Sequence, residues 1–156
     1  MSTEHIVKSF DEDLKKLDNT IAEMGGLAEV QLADAIEALV RRDTELADSV
    51  IARDKKIDAL EAEMDNHATM TLALRQPMAD DLRVTITALR TASLIERIGD
   101  YAKNIAKRSV VLSQSPPLGP TKSIARMATL VQGMIKDVLD AYVSVSYTHL
   151  TLPTKA

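Results

Sequence analysis

The chain has 156 residues, of which 46% are hydrophobic and 27% charged, with a net charge of −4 and no cysteine. That is enough for one domain with a real core, and it excludes disulfides, thiolate metal sites and cysteine catalysis. Acidic and basic residues are interspersed and aromatics are only 3%, so nucleic-acid binding, which needs a basic surface and stacking rings, is not expected. The opening segment MSTEHIVKSFDEDL has neither a basic n-region nor an apolar h-region, so no signal peptide is expected. No apolar stretch approaches the roughly 20 residues that span a bilayer. The expected location is the cytoplasm, without direct membrane insertion, any membrane association coming through a partner. With Ala, Leu, Ile and Met filling the apolar positions, the expected class is all-α.

In chain order, Phe10, Leu14, Leu17, Ile21, Met24 and Ala28 follow steps of four and three. Leu32, Ala35 and Leu39 continue the seam after one extra step of four. That is a long amphipathic helix with a stutter near Gly25-Gly26, where a kink or a close helix crossing is expected. Arg42-Asp43-Thr44 reads as a short turn, with Asp43 or Thr44 as N-cap. A second helix carries Leu46, Val50, Ile57, Leu60, Met64, Thr71 and Leu74. Pro77 stops it and suits the first turn of a third helix, where Asp80 and Asp81 favour the helix dipole.

The third helix should run to about Leu112, with Lys103, Lys107 and Arg108 near its C-terminal end. Val84, Ile95, Ile98 and Ile105 widen its apolar arc, so it should pack on two sides. SPPLGP, Ser115 to Pro120, is a linker. A fourth helix follows with Ile124, Val131, Ile135, Val138, Leu139 and Tyr142. Shifted by 103 positions, Met24 meets Met127, Leu27 meets Leu130, Asp34 meets Asp137, Ala38 meets Ala141 and Val40 meets Val143. This suggests a duplicated unit of about a hundred residues, one copy whole and the other only begun. After Val143, SVSYTHLTLPTKA loses helical periodicity. The expected organisation is a first unit over 1–114, a linker over 115–120, a fourth helix over 121–145 and a non-native or disordered tail over 146–156.

The chemistry concentrates on helices two and three. Leu82, Ile86, Leu89 and Ser93 lead by steps of four and three into Glu96, Asp100 and Asn104. On a helix these share one stripe, so an apolar seam is expected to turn into carboxylates without leaving its face. Carboxylates at core positions must be paired, protonated or bound to a cation. Asp54, Asp58, Glu61 and Asp65 form a second stripe, bordering Ile57, Leu60 and Met64. Like charges at this spacing repel. Two readings stay open: a solvated acidic face, or a site for a cation that suits carboxylate oxygen, such as magnesium, calcium, manganese or iron. Arg97 points to another face and is expected in a surface or inter-helix ion pair. Asn104 could offer a carbonyl ligand, more often a plain polar contact. His67 reads as a satisfied core histidine rather than a ligand. There is no Glu-x-x-His, no glycine-rich phosphate loop and no nucleophile elbow, so the chain does not read as an enzyme.

Four separated stretches carry a resemblance. ERIGDYAKNIAKR, Glu96 to Arg108, resembles the signature of the PhoU family, regulators associated with bacterial phosphate-specific transport. MGGLAEVQLADAI (Met24 to Ile36), LRQPMADDLR (Leu74 to Arg83) and DVLDAY (Asp137 to Tyr142) resemble, in order, its first helix, its second turn and the opening helix of its second repeat. The resemblance covers about residues 4 to 143. It implies an antiparallel three-helix bundle followed by the first helix of an incomplete second repeat. It implies metal held by Glu61, Asp65, Glu96 and Asp100, as iron, zinc, manganese or magnesium. It implies a negative regulator of the phosphate regulon and of phosphate uptake, linking the transporter's ATPase subunit to a phosphate-sensing histidine kinase, and forming homodimers. The other readings are a structural helical adaptor without metal and a carboxylate-bridged metal enzyme. The fourth helix is expected either to dock on its own bundle or to swap with another copy.

Overall fold

Two short breaks divide residues 3–113 into three helices. In the computed structural model, which describes residues 3–151 and the side chains of 9–145, these are α1 (Thr3–Arg41), α2 (Thr44–Arg75) and α3 (Ala79–Ser113), followed by α4 (Thr121–Thr151). The described residues form four helices and no strand, and none of the helices is long and apolar enough to cross a membrane. The chain is all-α, as its composition indicates.

The breaks have local causes. Asp43 is the N-cap of α2, its Oδ1 accepting from the Leu46 N–H at 2.9 Å, which satisfies one of the unpaired amides of the first turn. Arg42 beside it takes a left-handed backbone, φ 57°, which is strained for a residue with a side chain. Its guanidinium offsets that by donating to the Ser113 carbonyl at 2.7 Å and to the Ser115 carbonyl, tying the first turn to the end of α3. At the second break Gln76 is also left-handed, and its N–H closes α2 on the Leu72 carbonyl at 3.3 Å. Pro77 follows and disfavours a helical Gln76. The proline lies ahead of α3 rather than in its first turn, because α3 begins at Ala79 with Met78 as its cap.

α1 buries Phe10, Leu14, Leu17, Ile21, Met24, Ala28, Leu32 and Ala35, the stripe its periodicity marks, with Ala38 rather than Leu39 fully buried at the end. α1, α2 and α3 all pack on one another, whereas α4 lies on α1 and its backbone approaches no other described helix. The crossing of α4 falls at Gly25, where an added Cβ would lie 2.7 Å from Leu139 Cδ1. The double glycine therefore marks a close helix approach inside a continuous α1. Tyr142 seals the contact, its hydroxyl donating to Asp18 Oδ1 at 3.0 Å. α4 also runs to Thr151, past the 145 expected for it. Residues 144–151 contain no Gly or Pro, and their modest propensity costs do not stop a helix already nucleated. The remainder of the expected tail, 152–156, lies outside the described residues.

The seams of α2 and α3 need correction. On α2, Leu74 is 69% exposed, while Asp54 is buried between Val50 and Ile57. On α3 the buried stripe is Thr85, Ala88, Ala92, Ile95, Gly99, Ala102, Ala106 and Ser109. That is one position away from the expected Leu82, Ile86, Leu89, Ser93 series, and Leu82 and Ile86 are exposed. α3 is wedged between two helices, and a stripe of small residues lets both approach closely where bulky leucines would hold them apart. The apolar seam therefore does not run into the carboxylates. They flank it.

Candidate functional site

The antiparallel pairing of α2 and α3 brings the two acidic stripes to the same side of the bundle. Asp58, Glu61 and Asp65 line one wall of a groove of about 390 Å³, and Leu89, Ala92 and Ser93 line the other. Glu61 and Glu96 are half-buried at facing positions, Asp58 and Asp65 are exposed, and Asp100 lies one turn along α3 from Glu96. Helix periodicity puts each set on one face, but only the packing register of α2 on α3 sets which acids oppose which.

That register is fixed beneath the groove by a chain of polar contacts. Asp54 is only 2% exposed. Its Oδ1 accepts from Gln31 Nε2 of α1 at 3.1 Å, and its Oδ2 accepts from Lys103 Nζ of α3. Lys103 also donates to Asp100 Oδ1 at 2.6 Å. One buried carboxylate thus links all three helices, and its charge is paired, as burial demands. Gly99 makes room for this. A Cβ there would lie 2.9 Å from Ile57 Cδ1 and 3.4 Å from Asp54 Oδ1.

The electrostatics follow from the spacing. Burial, then repulsion from Asp100 and Glu61, raises the Glu96 carboxyl above the ordinary range. Asp58 is raised by burial and by Asp54, with Lys103 working against them. Asp100 moves the other way, held down chiefly by its hydrogen bond from Lys103. Lys103 itself is raised far above its usual value by its hydrogen bonds to Asp100 and Asp54. Two neighbouring carboxyls on one helix face are therefore driven apart in affinity for a proton, Glu96 up and Asp100 down.

Of the residues singled out for a cation, Glu61, Glu96 and Asp100 come together, joined by Asp58. Asp65 shares the groove wall with Glu61 but sits a turn further from Glu96, opposite Leu89 and Ser93 rather than another acid. Among the described residues no three His, Cys, Asp or Glu side chains converge on a point that could hold a metal ion in this arrangement. The groove's acids offer only carboxylate oxygen, with Glu61, Glu96 and Asp100 partly buried and Asp58 and Asp65 exposed, and the Lys103 ammonium sits against Asp100. Asn104 is exposed, one turn beyond Asp100 on the same stripe, beside Lys107 and Arg108. Arg97 makes no ion pair with a neighbouring helix, donating instead to the Tyr101 hydroxyl on its own helix at 3.3 Å. His67 lies 3.3 Å from the Asp13 carbonyl, a satisfied histidine between α1 and α2.

Sequence reasoning missed the buried Asp54 and the bridging role of Lys103. The signal was present, since Ala47, Val50, Asp54 and Ile57 keep the three-four spacing of a seam, with a charge at a core position.

Comparison with known proteins identifies the relatives of this chain. Residues 21–109 match the family model described as "PhoU domain". A phosphate-specific transport system accessory protein PhoU homolog of Caulobacter vibrioides is 50% identical over 141 residues, covering 90% of this chain and 61% of its own length. The homolog of Zymomonas mobilis is 46% identical over 138 residues, covering 88% of this chain and 58% of its own length. The chain thus spans about 60% of the length of these relatives. Among solved structures, PhoU from Pseudomonas aeruginosa superposes with a TM-score of 0.82 at 34% identity, over 86% of this chain and 65% of that one. The phosphate transport system regulatory protein PhoU from Streptococcus pneumoniae gives 0.78 at 30%, over 85% and 62%.

Proposed function

The chain belongs to the PhoU family, and from that premise we propose that it acts as a regulatory adaptor of phosphate transport and signalling rather than as an enzyme. The observation that carries this is sequence identity of 50% to a phosphate-specific transport system accessory protein across 90% of the chain. The described site supports a binding role as well. Asp54, Lys103 and Asp100 are committed to structural pairing, and among the described residues no nucleophile with a base beside it stands in the groove. In this reading the protein restrains the phosphate regulon and phosphate uptake from the cytoplasm. Its partners are the ATPase subunit of the phosphate transporter and a phosphate-sensing histidine kinase, and it works as a homodimer. The test is to express the chain in a bacterium lacking its own family member, then read phosphate uptake and a phosphate-starvation reporter. Restored repression supports the proposal. Unchanged uptake and reporter, with the protein present and folded, overturn it for this chain.

A second reading concerns metal. Glu61, Glu96 and Asp100, with Asp58 and with Asp65 at the groove's far end, would hold a divalent or trivalent cation such as manganese, magnesium, zinc or iron, whose charge relieves the repulsion that raises Glu96. Metal content and melting temperature, with and without chelator, in the parent and in Glu96→Ala/Asp100→Ala test it. Metal lost in the variant, with a chelator-sensitive melt in the parent, supports a site. No metal and an unchanged melt leave a solvated acidic groove.

A further inference from the structure

α4 meets the described bundle along one side only. Ala128, Ile135, Leu139 and Tyr142 form the side turned to α1. A second stripe, Met127, Val131, Met134, Val138, Ala141 and Val145, recurs by steps of four and three. That is the 3.5-residue repeat of a coiled-coil seam, yet its large members are between 44% and 71% exposed. With Leu94 and Tyr101 of α3, which are equally open, Met127, Val131, Met134 and Val138 line a groove of about 700 Å³ above α1. Thr91, Tyr101 and Tyr142 carry the only hydroxyls in its wall, and each is already hydrogen-bonded within the chain. The groove thus lacks the convergent polar groups that orient a small molecule, and its shape and lining suit another helix. The open side chains, Leu130 included, present on the order of 800 Å² of apolar surface, more than the roughly 300–600 Å² patch of an ordinary monomer and about one partner's share of a standard interface.

We propose that this face binds the same face of a second copy of the chain, α4 lying antiparallel to its counterpart about a two-fold axis near Gln132 and Gly133. In that register Met127 meets the partner's Val138 and Val131 meets the partner's Met134, each time a flexible thioether against a smaller branched side chain. The charges agree with it. Lys122 and Arg126 stand near one end of the stripe, Asp137 and Asp140 near the other. Antiparallel pairing brings Arg126 within a turn of the partner's Asp137 and the partner's Asp140, whereas parallel pairing sets like charge against like. Asp140 also pairs with Lys136 on its own helix at 3.3 Å, an exposed contact that holds it only weakly. Each α4 then fills the groove between α3 and α4 of the other copy, so the contact is self-complementary and closes as a dimer. The interface deepens the homodimer of the preceding reading and fails separately from it.

The test is analytical ultracentrifugation of the full 156-residue chain over a concentration series. It compares the parent with Met134→Glu, Arg126→Glu and Arg126→Glu/Asp137→Arg. All three positions are exposed, so helical content by circular dichroism should not change. The expected result is a dimeric parent, a monomeric Met134→Glu, a dimer about tenfold weaker in Arg126→Glu, and affinity regained on adding Asp137→Arg. The chain has no cysteine, so Ser123→Cys carries a single spin label in each copy. Antiparallel pairing sets the two labels roughly 30 Å apart, from the rise of 1.5 Å per residue, and parallel pairing brings them close together. A monomeric parent overturns the proposal and leaves the face to a different protein. A dimer indifferent to both Met134→Glu and Arg126→Glu, or labels at another separation, overturns this interface and leaves a homodimer through another surface.

Discussion

Leu139 of α4 rests on Gly25 of α1 so closely that a β-carbon there would lie 2.7 Å from both of its methyl carbons. Gly26, the next residue, has nothing within 4 Å of the same position. The pair separates two roles of a helical glycine. One position is small because another helix needs the space, and the other carries only the propensity penalty. Gly26→Ala should therefore stabilise the chain by roughly 0.5–1 kcal/mol. Gly25→Ala should give less than that or turn destabilising, because Leu139 must move. Urea unfolding of the two variants side by side checks this; equal gains would mean that α4 does not sit on Gly25.

Tyr142 should hold α4 to α1. Tyr142→Phe removes the hydrogen bond to Asp18 and should lower stability by about 1 kcal/mol. Burial, reinforced by Asp18, raises the Tyr142 phenol above its ordinary value of 10.0. A raised value means that the folded state prefers the neutral phenol. The contribution is thus fully present below pH 10 and is lost as the pH rises above it. Ultraviolet titration of tyrosinate should show one tyrosine ionising late in the parent, together with release of α4, and that late step should be missing in Tyr142→Phe.

Glu96 should be a net burden at neutral pH. Its carboxyl is raised by burial and by Asp100 and Glu61, so its favourable contribution is complete below the ordinary carboxylate range and disappears as the pH rises through its folded value. Glu96→Gln should therefore melt at or above the parent temperature at pH 7 and match it near pH 4. Asp100→Asn should do the opposite. Asp100 is depressed by Lys103, its stabilisation is present above the ordinary range, and the loss from replacing it should fade as the pH falls. Melting curves at the two pH values decide; a Glu96→Gln penalty at pH 7 would contradict the electrostatic picture.

Lys103 and Asp54 should be strongly coupled. Lys103→Met strands a carboxylate that is 2% exposed. Removing one partner of a buried pair costs about 3–5 kcal/mol, and the 22% exposure of the Lys103 side chain places the loss toward the lower end. Adding Asp54→Asn should recover much of it. A double-mutant cycle by denaturant unfolding measures the coupling. Additive losses would show that the two side chains do not pair.

The elements that were legible from sequence are those decided by neighbours a few residues away. Asp43 could be read as a cap, Pro77 as a stop and SPPLGP as a linker, because each acts through its own backbone geometry. The long stripe of α1 was legible too, since its large apolar residues face one continuous core. α3 was misread by one position because its buried face is made of Ala, Gly, Thr and Ser, which carry little hydrophobic signal. The larger Leu82 and Ile86 that do carry it stand exposed beside that face.

The sequence by itself determined an all-α chain of four helices, its breaks, and the two acidic stripes on α2 and α3, because periodicity and capping are properties of a single helix. Only the tertiary structure decided that these stripes flank the core except at Asp54, which enters it, that Glu61 faces Glu96 while Asp65 does not, and that Lys103 stands between Asp54 and Asp100. Those facts depend on the rotation and register of one helix against another. Both are set by which small residues permit close approach and by where a buried charge finds its partner, and neither is encoded in the spacing along one chain segment.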